Sequence, residues 1–388
     1  MIKKIATLLL LFSAFAPQAD TINEKVLISL EDMMKADPAT QGFLVSHNGV
    51  VVSEYYADGY SDNDLGTTWS IAKTFYGALI GVAIHKNLDV DLEDNLSKFI
   101  PEFSKDERGK ITLRNLLAMK SGFEITEHEN QEMFFSLDNL SFALNVEIDK
   151  PQGEVYEYNN VNTMLLNPII EHIFDKEVHE VLIDEIFTPL SITEYGLWED
   201  SSGNDMTYYG IDLKPADLLK FGQLINNGGS WNGIQLIDPN YLAESIKPLS
   251  PGTGEWFGLH WSVRKYNEQK NLVGLEVTDG EVFFVIPEKD IVVVRLTKYL
   301  HDAQKGYQIN FGPLSYILWL PYSWVRYITE LLAPAPAEPD AEIVDDPNLN
   351  IPNTQAKGIS VHHCPFTSPN NCPGVTKMQN LIFDLVED

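Results

Sequence analysis

Ser70 and Lys73 have the residue types and the spacing of a nucleophile and its base. They open and close the tetrad Ser-Ile-Ala-Lys, and side chains three positions apart lie on one face of a helix. A serine hydroxyl is a weak nucleophile until a base takes its proton, and lysine can do so only where burial or a nearby cation lowers its pKa. A helix amino terminus also disfavours an ammonium group and stabilises an oxyanion. The tetrad predicts an activated serine, with a helix N-cap followed by a surface lysine as the alternative.

A second candidate element is the tripeptide Tyr158-Asn159-Asn160. A tyrosine beside Lys73 can relay a proton to the leaving group, and Asn160 can hold the lysine and bind a substrate carbonyl. We therefore predict Tyr158 as the third catalytic residue and Asn160 as a substrate-binding residue. A polar loop is the alternative interpretation of this segment.

A third element, Thr278-Asp279-Gly280, precedes an apolar run that begins after Glu281. Gly280 has no side chain, so a substrate can approach the strand backbone closely there. We predict Gly280 and Glu281 as substrate-binding residues. The backbone N–H groups of Ser70 and Glu281 are then expected to form an oxyanion hole.

Strand pairs at both ends of this region must position these elements. Residues 42–56 predict a hairpin with a tight turn at Asn48-Gly49. Residues 281–286 and 291–296 predict a second hairpin that is buried on both faces. The intervening chain shows helical patterns, at residues 70–85, 113–119, 161–174 and 215–226. The sequence therefore predicts an α/β (α+β) fold, with an antiparallel sheet flanked by helices, an inserted mainly helical domain and a cleft at their junction.

The composition excludes some classes of partner. Acidic residues outnumber basic ones by 56 to 27, and the formal net charge of the 388 residues is −29. Nucleic-acid binding needs clustered Lys and Arg, and an anionic membrane surface also attracts basic segments. The negative net charge fits either a role in solubility or an electrostatic field that steers cationic substrates. We expect a small-molecule substrate.

Residues 1–19 have the pattern of an export signal. Lys3 and Lys4 precede an uncharged apolar stretch at 5–16, and small residues continue to Ala19. The stretch is too short for a comfortable membrane span. We expect export to the periplasm or the extracellular space, with a retained N-terminal anchor as the alternative.

The rest of the chain divides by composition. Residues 20–332 predict one main domain, which ends in the apolar stretch 314–332. We expect that stretch to form a closing helix on the sheet, and a membrane-surface contact through its Trp and Tyr side chains is the less favoured alternative. Residues 333–353 predict a Pro-rich acidic linker, and residues 354–388 form a C-terminal tail.

The tail contains both cysteines of the chain, Cys364 and Cys372. In an oxidising compartment they are expected to form a small disulfide loop, and two unpaired thiols are the alternative. His362 and His363 precede the first cysteine, but a single loop supplies all these ligands. We therefore expect no metal site there.

These segments together resemble the serine β-lactamase and penicillin-binding group, in the branch with class C β-lactamases, esterases, DD-peptidases and 6-aminohexanoate-oligomer hydrolases. The segments that carry the resemblance are GFLVSHNGVVVSEYYADGY, TTWSIAKTF, ITLRNLLAMKSGFE and DLLKFGQLINNGGSWNGIQLI. The resemblance implies an antiparallel sheet with a helical domain and a site between them. It also implies that Ser70 is acylated, that Lys73 takes its proton, that Tyr158 assists, and that no metal or organic cofactor is needed.

The chain departs from this group in the third element. The group usually has Lys or His first, where this chain has Thr278, and that cation often recognises a substrate carboxylate. Its absence favours a neutral or cationic ester or amide. The resemblance also implies a cleft-facing segment at Tyr209, which we predict as a substrate contact. Trp261 is predicted as a second contact, with a place in the core as the alternative.

The sequence therefore predicts a serine hydrolase that cleaves an ester or amide through a Ser70 acyl-enzyme. A DD-peptidase or a weak β-lactamase acting on cell-wall-type substrates is the alternative, and the missing cation argues against it. A non-catalytic binding module on the same fold is a further alternative. Intact Ser70, Lys73 and Tyr158 argue against that one.

Overall fold

The structure is a computed structural model. It describes residues 22–37, 39–251, 256–265, 271–276 and 280–298, with the short segments 305–308, 319–320, 342–345, 381–382 and 384–385. The predicted signal at 1–19, the residues Thr278 and Asp279, and both cysteines, Cys364 and Cys372, lie outside the described residues.

An antiparallel sheet of eight strands forms the centre of the described chain. From one edge to the other its strands are β2 (Val50–Tyr56), β1 (Thr40–His47), β13 (Ile291–Thr297), β12 (Val282–Ile286), β11 (Asn271–Glu276), β10 (Ser262–Lys265), β9 (Trp256–Phe257) and β8 (Ser250–Pro251). Short strands outside this sheet are β3 (Gly66–Thr67), β4 (Gly196–Leu197), β5 (Ile211–Leu213), β6 (Ser230–Trp231) and β7 (Ile234–Gln235). Pairing of β1 with β13 joins the first and last strands of the region. The prediction that the sheet is assembled from strands at both ends of this region is therefore confirmed.

Both predicted hairpins are present. Asn48 and Gly49 connect β1 to β2 with φ angles of 52° and 72°, the left-handed conformation that a two-residue hairpin turn requires. The chain between β12 and β13 turns at Pro287–Lys289 and Asp290. All residues of β12 and β13 are buried, as their mostly apolar sequences predict.

Helices surround the sheet, and most of them lie in the part of the chain between β2 and β8. They are α1 (Glu24–Ala36), α2 (Ala72–His85), α3 (Leu113–Leu117), α4 (Glu127–Phe135), α5 (Asn139–Asn145), α6 (Val161–Met164), α7 (Leu166–Phe174), α8 (Val178–Leu182), α9 (Pro215–Asn226) and α10 (Pro239–Ser245). The predicted helix at 70–85 begins as a 3₁₀ turn, Trp69–Ile71, and the helix predicted at 161–174 is divided at Leu165. None of the helices in the described residues is long and apolar enough to span a membrane.

Helix α2 lies in the interior, with residues 72–83 all buried. Apart from Lys73 and Thr74, its buried residues are apolar or small, which is typical of a fully buried helix. Gly77 and Gly81 allow close neighbours: an added Cβ would lie 2.8 Å from His260 Cβ and 2.4 Å from Tyr241 Cδ1. Since Lys73 belongs to this helix, the packing that buries α2 also carries the lysine into the protein interior.

The opposite face of the sheet is covered by α1 and by residues close to the C-terminus. Leu30 and Met34 of α1 form one core cluster with Ile382, Leu385 and sheet residues such as Phe284. The backbone N–H of Asn23 also donates to the carbonyl of Leu385, at 2.6 Å. Ile382 and Leu385 of the tail therefore pack against the main sheet.

The predicted closing helix at 314–332 is wrong at Trp319–Leu320, which form a short strand, β15. Leu320 precedes Pro321, and the residue before a proline disfavours helical backbone. Strand β15 pairs with β14 (Lys305–Gln308), and β14 also pairs with β16 (Glu342–Asp345). Strand β16 lies within residues 333–353, the segment that the sequence predicts as a linker. Its two central residues, Ile and Val, are β-branched and favour strands.

We expect Ile382→Ala to lower the free energy of unfolding by about 2–4 kcal/mol, because truncating a buried side chain removes apolar contacts and leaves a cavity. Ile382 is fully buried, whereas Ile28 of α1 is 58% exposed. Ile28→Ala is the matched control and should change stability by only about 0.5 kcal/mol. Urea denaturation of both variants measures the difference. Equal effects would show that the C-terminal residues do not contribute to the core.

Candidate active site

Ser70 lies in the 3₁₀ turn that leads into α2, and the preceding chain is fixed by hydrogen bonds. The backbone N–H and the Oγ1 hydroxyl of Thr68 both donate to the carbonyl of Ile211, at 2.9 and 2.7 Å. Trp69, directly before the serine, has a φ of 46°. A positive φ is rare for a bulky side chain, and strained backbone of this kind is concentrated at functional sites.

Lys73 and Ser70 meet as the helical spacing predicts. Lys73 Nζ lies 2.9 Å from Ser70 Oγ and 3.0 Å from the carbonyl oxygen of Tyr208, to which it donates a hydrogen bond. The lysine side chain is fully buried, and this desolvation holds its pKa well below the ordinary value. A lowered pKa favours the neutral amine, which is the form that can accept the serine proton.

Three tyrosine rings surround the lysine amine. Lys73 Nζ lies 4.8 Å from the ring centroid of Tyr209, 5.2 Å from that of Tyr158 and 5.8 Å from that of Tyr208. Tyr208 is fully buried, whereas Tyr158 is 38% exposed. Tyr158 is therefore both close to the lysine and exposed to solvent, and the structure brings together the three residues predicted as catalytic.

Asn160 lies in the same site, but its contacts differ from those expected. Its side-chain amide donates to the hydroxyl of Tyr209 at 3.0 Å, and its backbone N–H donates to Asn130 Oδ1 at 2.8 Å. The hydrogen-bond partners of Lys73 Nζ within the described chain are Ser70 and Tyr208. The expectation that Asn160 holds the lysine is therefore wrong, because the carbonyl of Tyr208 occupies that role. Asn160 instead orients Tyr209.

The strand next to Ser70 comes earlier in the chain than the third element that the sequence predicts. Strand β11 is the strand that contacts the 3₁₀ turn containing Ser70, whereas Gly280 and Glu281 follow β11 and directly precede β12. The carbonyl of Gly280 accepts a hydrogen bond from Arg295 Nη1 at 2.9 Å, and the buried Glu281 carboxylate accepts one from Thr297 Oγ1. These two residues are held by β13, so their prediction as substrate-binding residues is corrected.

Gly274, within β11, has the property expected of the third-element glycine. Its φ is 148°, and an added Cβ would lie 1.8 Å from the carbonyl oxygen of Phe283, so this position accepts only glycine. A glycine inside a strand pattern marks a close backbone approach, and that signal was present in the sequence. The second N–H group of an oxyanion hole is therefore expected from β11.

Trp261 is a core residue and does not line the cleft. Its side chain is fully buried, with its ring centroid 6.3 Å from that of Phe221 and 6.0 Å from that of Phe283. These rings pack between α9 and the sheet. The prediction of Trp261 as a substrate contact is wrong, because its place immediately before β10 directs it into the core.

An aromatic wall formed by Trp69, Phe134 and Tyr209 lies next to the lysine. The ring centroids are 5.5 Å apart for Trp69 and Tyr209, 5.4 Å for Phe134 and Tyr209, and 6.3 Å for Trp69 and Phe134. All three side chains are only partly buried. Sequence reasoning identified Tyr209 but missed Phe134, because its place in α4 gives no indication of which elements it faces.

The described residues contain no group of three or more His, Cys, Asp or Glu side chains arranged to hold a metal ion. His260, which lies behind α2, hydrogen-bonds through its ring to protein groups at 2.8 and 3.0 Å.

A buried Ser–Lys pair at the start of a helix, packed against an antiparallel sheet, is the arrangement expected of a serine hydrolase. The beta-lactamase family matches residues 30–310 of this chain. The chain belongs to that family, and it is an enzyme of the serine hydrolase class.

Similar proteins include hydrolases with different substrates. A 6-aminohexanoate-dimer hydrolase of Paenarthrobacter ureafaciens is 22% identical over 308 residues, which cover 70% of this chain and 77% of that protein. A D-amino acid amidase from Ochrobactrum anthropi has a similar solved structure, with a TM-score of 0.56, 17% identity and coverage of 70% and 91% of the two chains. For a family VIII carboxylesterase the TM-score is 0.59, the identity 15% and the coverage 71% and 90%. The two structures establish the shared fold.

Proposed function

We propose that the protein hydrolyses a small ester or amide through an acyl-enzyme on Ser70. The observation that carries this proposal is the 2.9 Å approach of Lys73 Nζ to Ser70 Oγ, with the lysine fully buried. A buried, neutral amine in contact with a serine hydroxyl is the arrangement that a nucleophile and its general base require.

The proposed reaction has two steps. Ser70 Oγ attacks the substrate carbonyl carbon while its proton passes to Lys73 Nζ, and the carbonyl oxygen becomes an oxyanion near the backbone of Ser70 and β11. Collapse of this intermediate breaks the bond to the alcohol or amine, which takes a proton through Tyr158. Water then attacks the acyl-enzyme, loses its proton to the same Lys–Tyr pair, and releases the acid and free Ser70.

The substrate is proposed to lack a carboxylate that the enzyme must recognise. Strand β11, which lies along the nucleophile, has the sequence NLVGLE and carries no Lys, Arg or His. The aromatic wall beside Lys73 favours an apolar or cationic group on the substrate. Names of the similar proteins include amide and carboxylic ester hydrolases, which supports both bond types. A DD-peptidase or β-lactamase activity would need a cation that the described site does not supply.

Matched substrate pairs test this proposal. We expect p-nitrophenyl esters and p-nitroanilides of neutral acyl groups to be turned over faster than the same compounds with a carboxylate on the acyl group. A chromogenic cephalosporin, which has a carboxylate, should be the poorest substrate. The kcat/KM values of each pair provide the measurement. Preference for the carboxylate member would support the cell-wall alternative.

Tyr158→Phe is expected to lower kcat by about 10²-fold, since a positioned proton donor contributes at least this much. The phenyl ring keeps the contact with Phe257, whose ring centroid lies 6.0 Å from that of Tyr158. The matched control is Tyr156→Phe, because the ring of Tyr156 also contacts Phe257, at 5.5 Å. Steady-state kinetics on one ester should show a large loss for the first variant only. Equal losses would show that Tyr158 acts through packing.

Export is the second part of the proposal, and it is supported by the pattern of residues 1–19. Expression of the full chain followed by fractionation and N-terminal sequencing provides the test. A mature protein that begins near Asp20 in the periplasm or medium supports export. An intact N-terminus in the cytoplasmic fraction contradicts it.

A further inference from the structure

His260 occupies the connection between β9 and β10, directly behind the catalytic helix. It is fully buried, and its φ is 62°, a left-handed conformation that is uncommon for residues with a side chain. Gly77, one turn after Lys73, comes so close that an added Cβ would lie 2.8 Å from His260 Cβ. A bulky residue in such a conformation needs surrounding interactions that hold it.

The ring nitrogens of His260 provide those interactions. Nδ1 lies 2.8 Å from the carbonyl oxygen of Leu117, and Nε2 lies 3.0 Å from Thr163 Oγ1. Since a carbonyl can only accept, Nδ1 carries the proton and Nε2 accepts from the threonine hydroxyl. Burial, with a smaller contribution from Lys73, lowers the pKa of His260 to about 4. The ring is therefore neutral at neutral pH, as this arrangement requires.

Thr163 connects His260 to the two segments that face the Lys73 amine, one ending at Asn160 and the other containing Tyr208. It belongs to α6, which begins directly after Asn160. Its carbonyl accepts a hydrogen bond from Thr207 Oγ1 at 2.7 Å. Thr207 precedes Tyr208, whose carbonyl accepts the hydrogen bond from Lys73 Nζ. His260 thus packs against α2, the helix that carries Lys73. Through Thr163 it is also linked by hydrogen bonds to the segments of Asn160 and Tyr208, which face the lysine amine.

We propose that His260 is a positioning residue, which sets the distance of Lys73 from the Tyr208 carbonyl and from the Tyr158–Asn160 segment through its hydrogen bond with Thr163. It touches no reacting atom. The inference rests on the proposed acyl-enzyme mechanism, because the geometry it maintains is that of the base. Loss of the hydrogen bond should slow acylation of Ser70 and leave KM nearly unchanged.

Variants at the two ends of this hydrogen bond provide the test. Thr163→Val removes the hydroxyl at nearly constant volume, whereas Thr163→Ser keeps it. His260→Asn tolerates the left-handed backbone and keeps a short donor for Leu117, but it does not reach Thr163. The readouts are the rate of Ser70 labelling by a fluorophosphonate, kcat and KM for one ester, and circular dichroism of each folded protein.

We expect Thr163→Val and His260→Asn each to slow labelling and kcat by about tenfold, with KM within about twofold, while Thr163→Ser retains most of the rate. The double variant should be no slower than the slower single variant, because both remove one interaction. Equal rates for the folded Val and Ser variants would overturn the inference, as would additive losses in the double variant. If His260→Asn fails to fold, the Thr163 pair decides the question. Absence of labelling in the wild type would instead refute the acyl-enzyme mechanism, and the positioning role with it.

Discussion

Ser70→Ala is expected to abolish covalent labelling by a fluorophosphonate and to lower kcat/KM by at least about 10³-fold. The variant removes the oxygen that lies 2.9 Å from Lys73 Nζ and leaves the amine its hydrogen bond to the Tyr208 carbonyl. The fold should therefore persist while the nucleophile is lost. Intact mass after incubation with the reagent measures labelling directly.

The control for this experiment is Ser29→Ala. Ser29 lies on the exposed surface of α1, and its hydroxyl donates to the carbonyl of Lys25 within the same helix. The same chemical change there should leave both labelling and turnover unaffected. A single adduct on wild type and on Ser29→Ala, but not on Ser70→Ala, would establish the nucleophile. An adduct that persists in Ser70→Ala would assign the reactive residue elsewhere.

The sequence was sufficient to predict the contact between Ser70 and Lys73 because their relation is local. Ser70 and Lys73 are three residues apart on a helix, so the helical geometry alone brings them together. The hairpins were equally local, since Asn48-Gly49 defines a turn by backbone conformation. Tyr158 was predicted from the chemistry of its side chain and from the resemblance to a family, because no local rule relates a residue so distant in the sequence to the lysine.

The predictions that failed concern residues whose positions depend on packing between parts of the chain that are distant in the sequence. Gly280 lies just before β12 and Gly274 lies inside β11, and only the packing of β11 shows which strand reaches Ser70. Trp261 is an aromatic residue that was predicted to contact the substrate. The direction of its side chain, however, depends on packing against rings from α9 and β12. Ile382 gave no signal, because the sheet face that it covers is built by strands far from it in the sequence, β1, β12 and β13.

Lys73→Met is expected to lower kcat/KM by at least about 10³-fold, because it removes the base and keeps a buried side chain of similar length. Lys86→Met is the matched control in the same helix region. Lys86 terminates α2, and its exposed side chain pairs with Glu185, an interaction of small energy. That variant should retain turnover and stability. Near-normal rates for Lys73→Met would identify another base.

The same variant should make the protein more stable at neutral pH. Burial lowers the pKa of Lys73 well below its ordinary value of 10.5, so between the lowered pKa and 10.5 the unfolded chain binds a proton that the folded chain does not. Stability then falls as the pH decreases through that window, and methionine removes the effect. Tm should be higher for Lys73→Met than for wild type at pH 7, and the difference should shrink as the pH approaches 10.5. A lower Tm at pH 7 would contradict a neutral, buried lysine and, with it, the physical basis for Lys73 as the base.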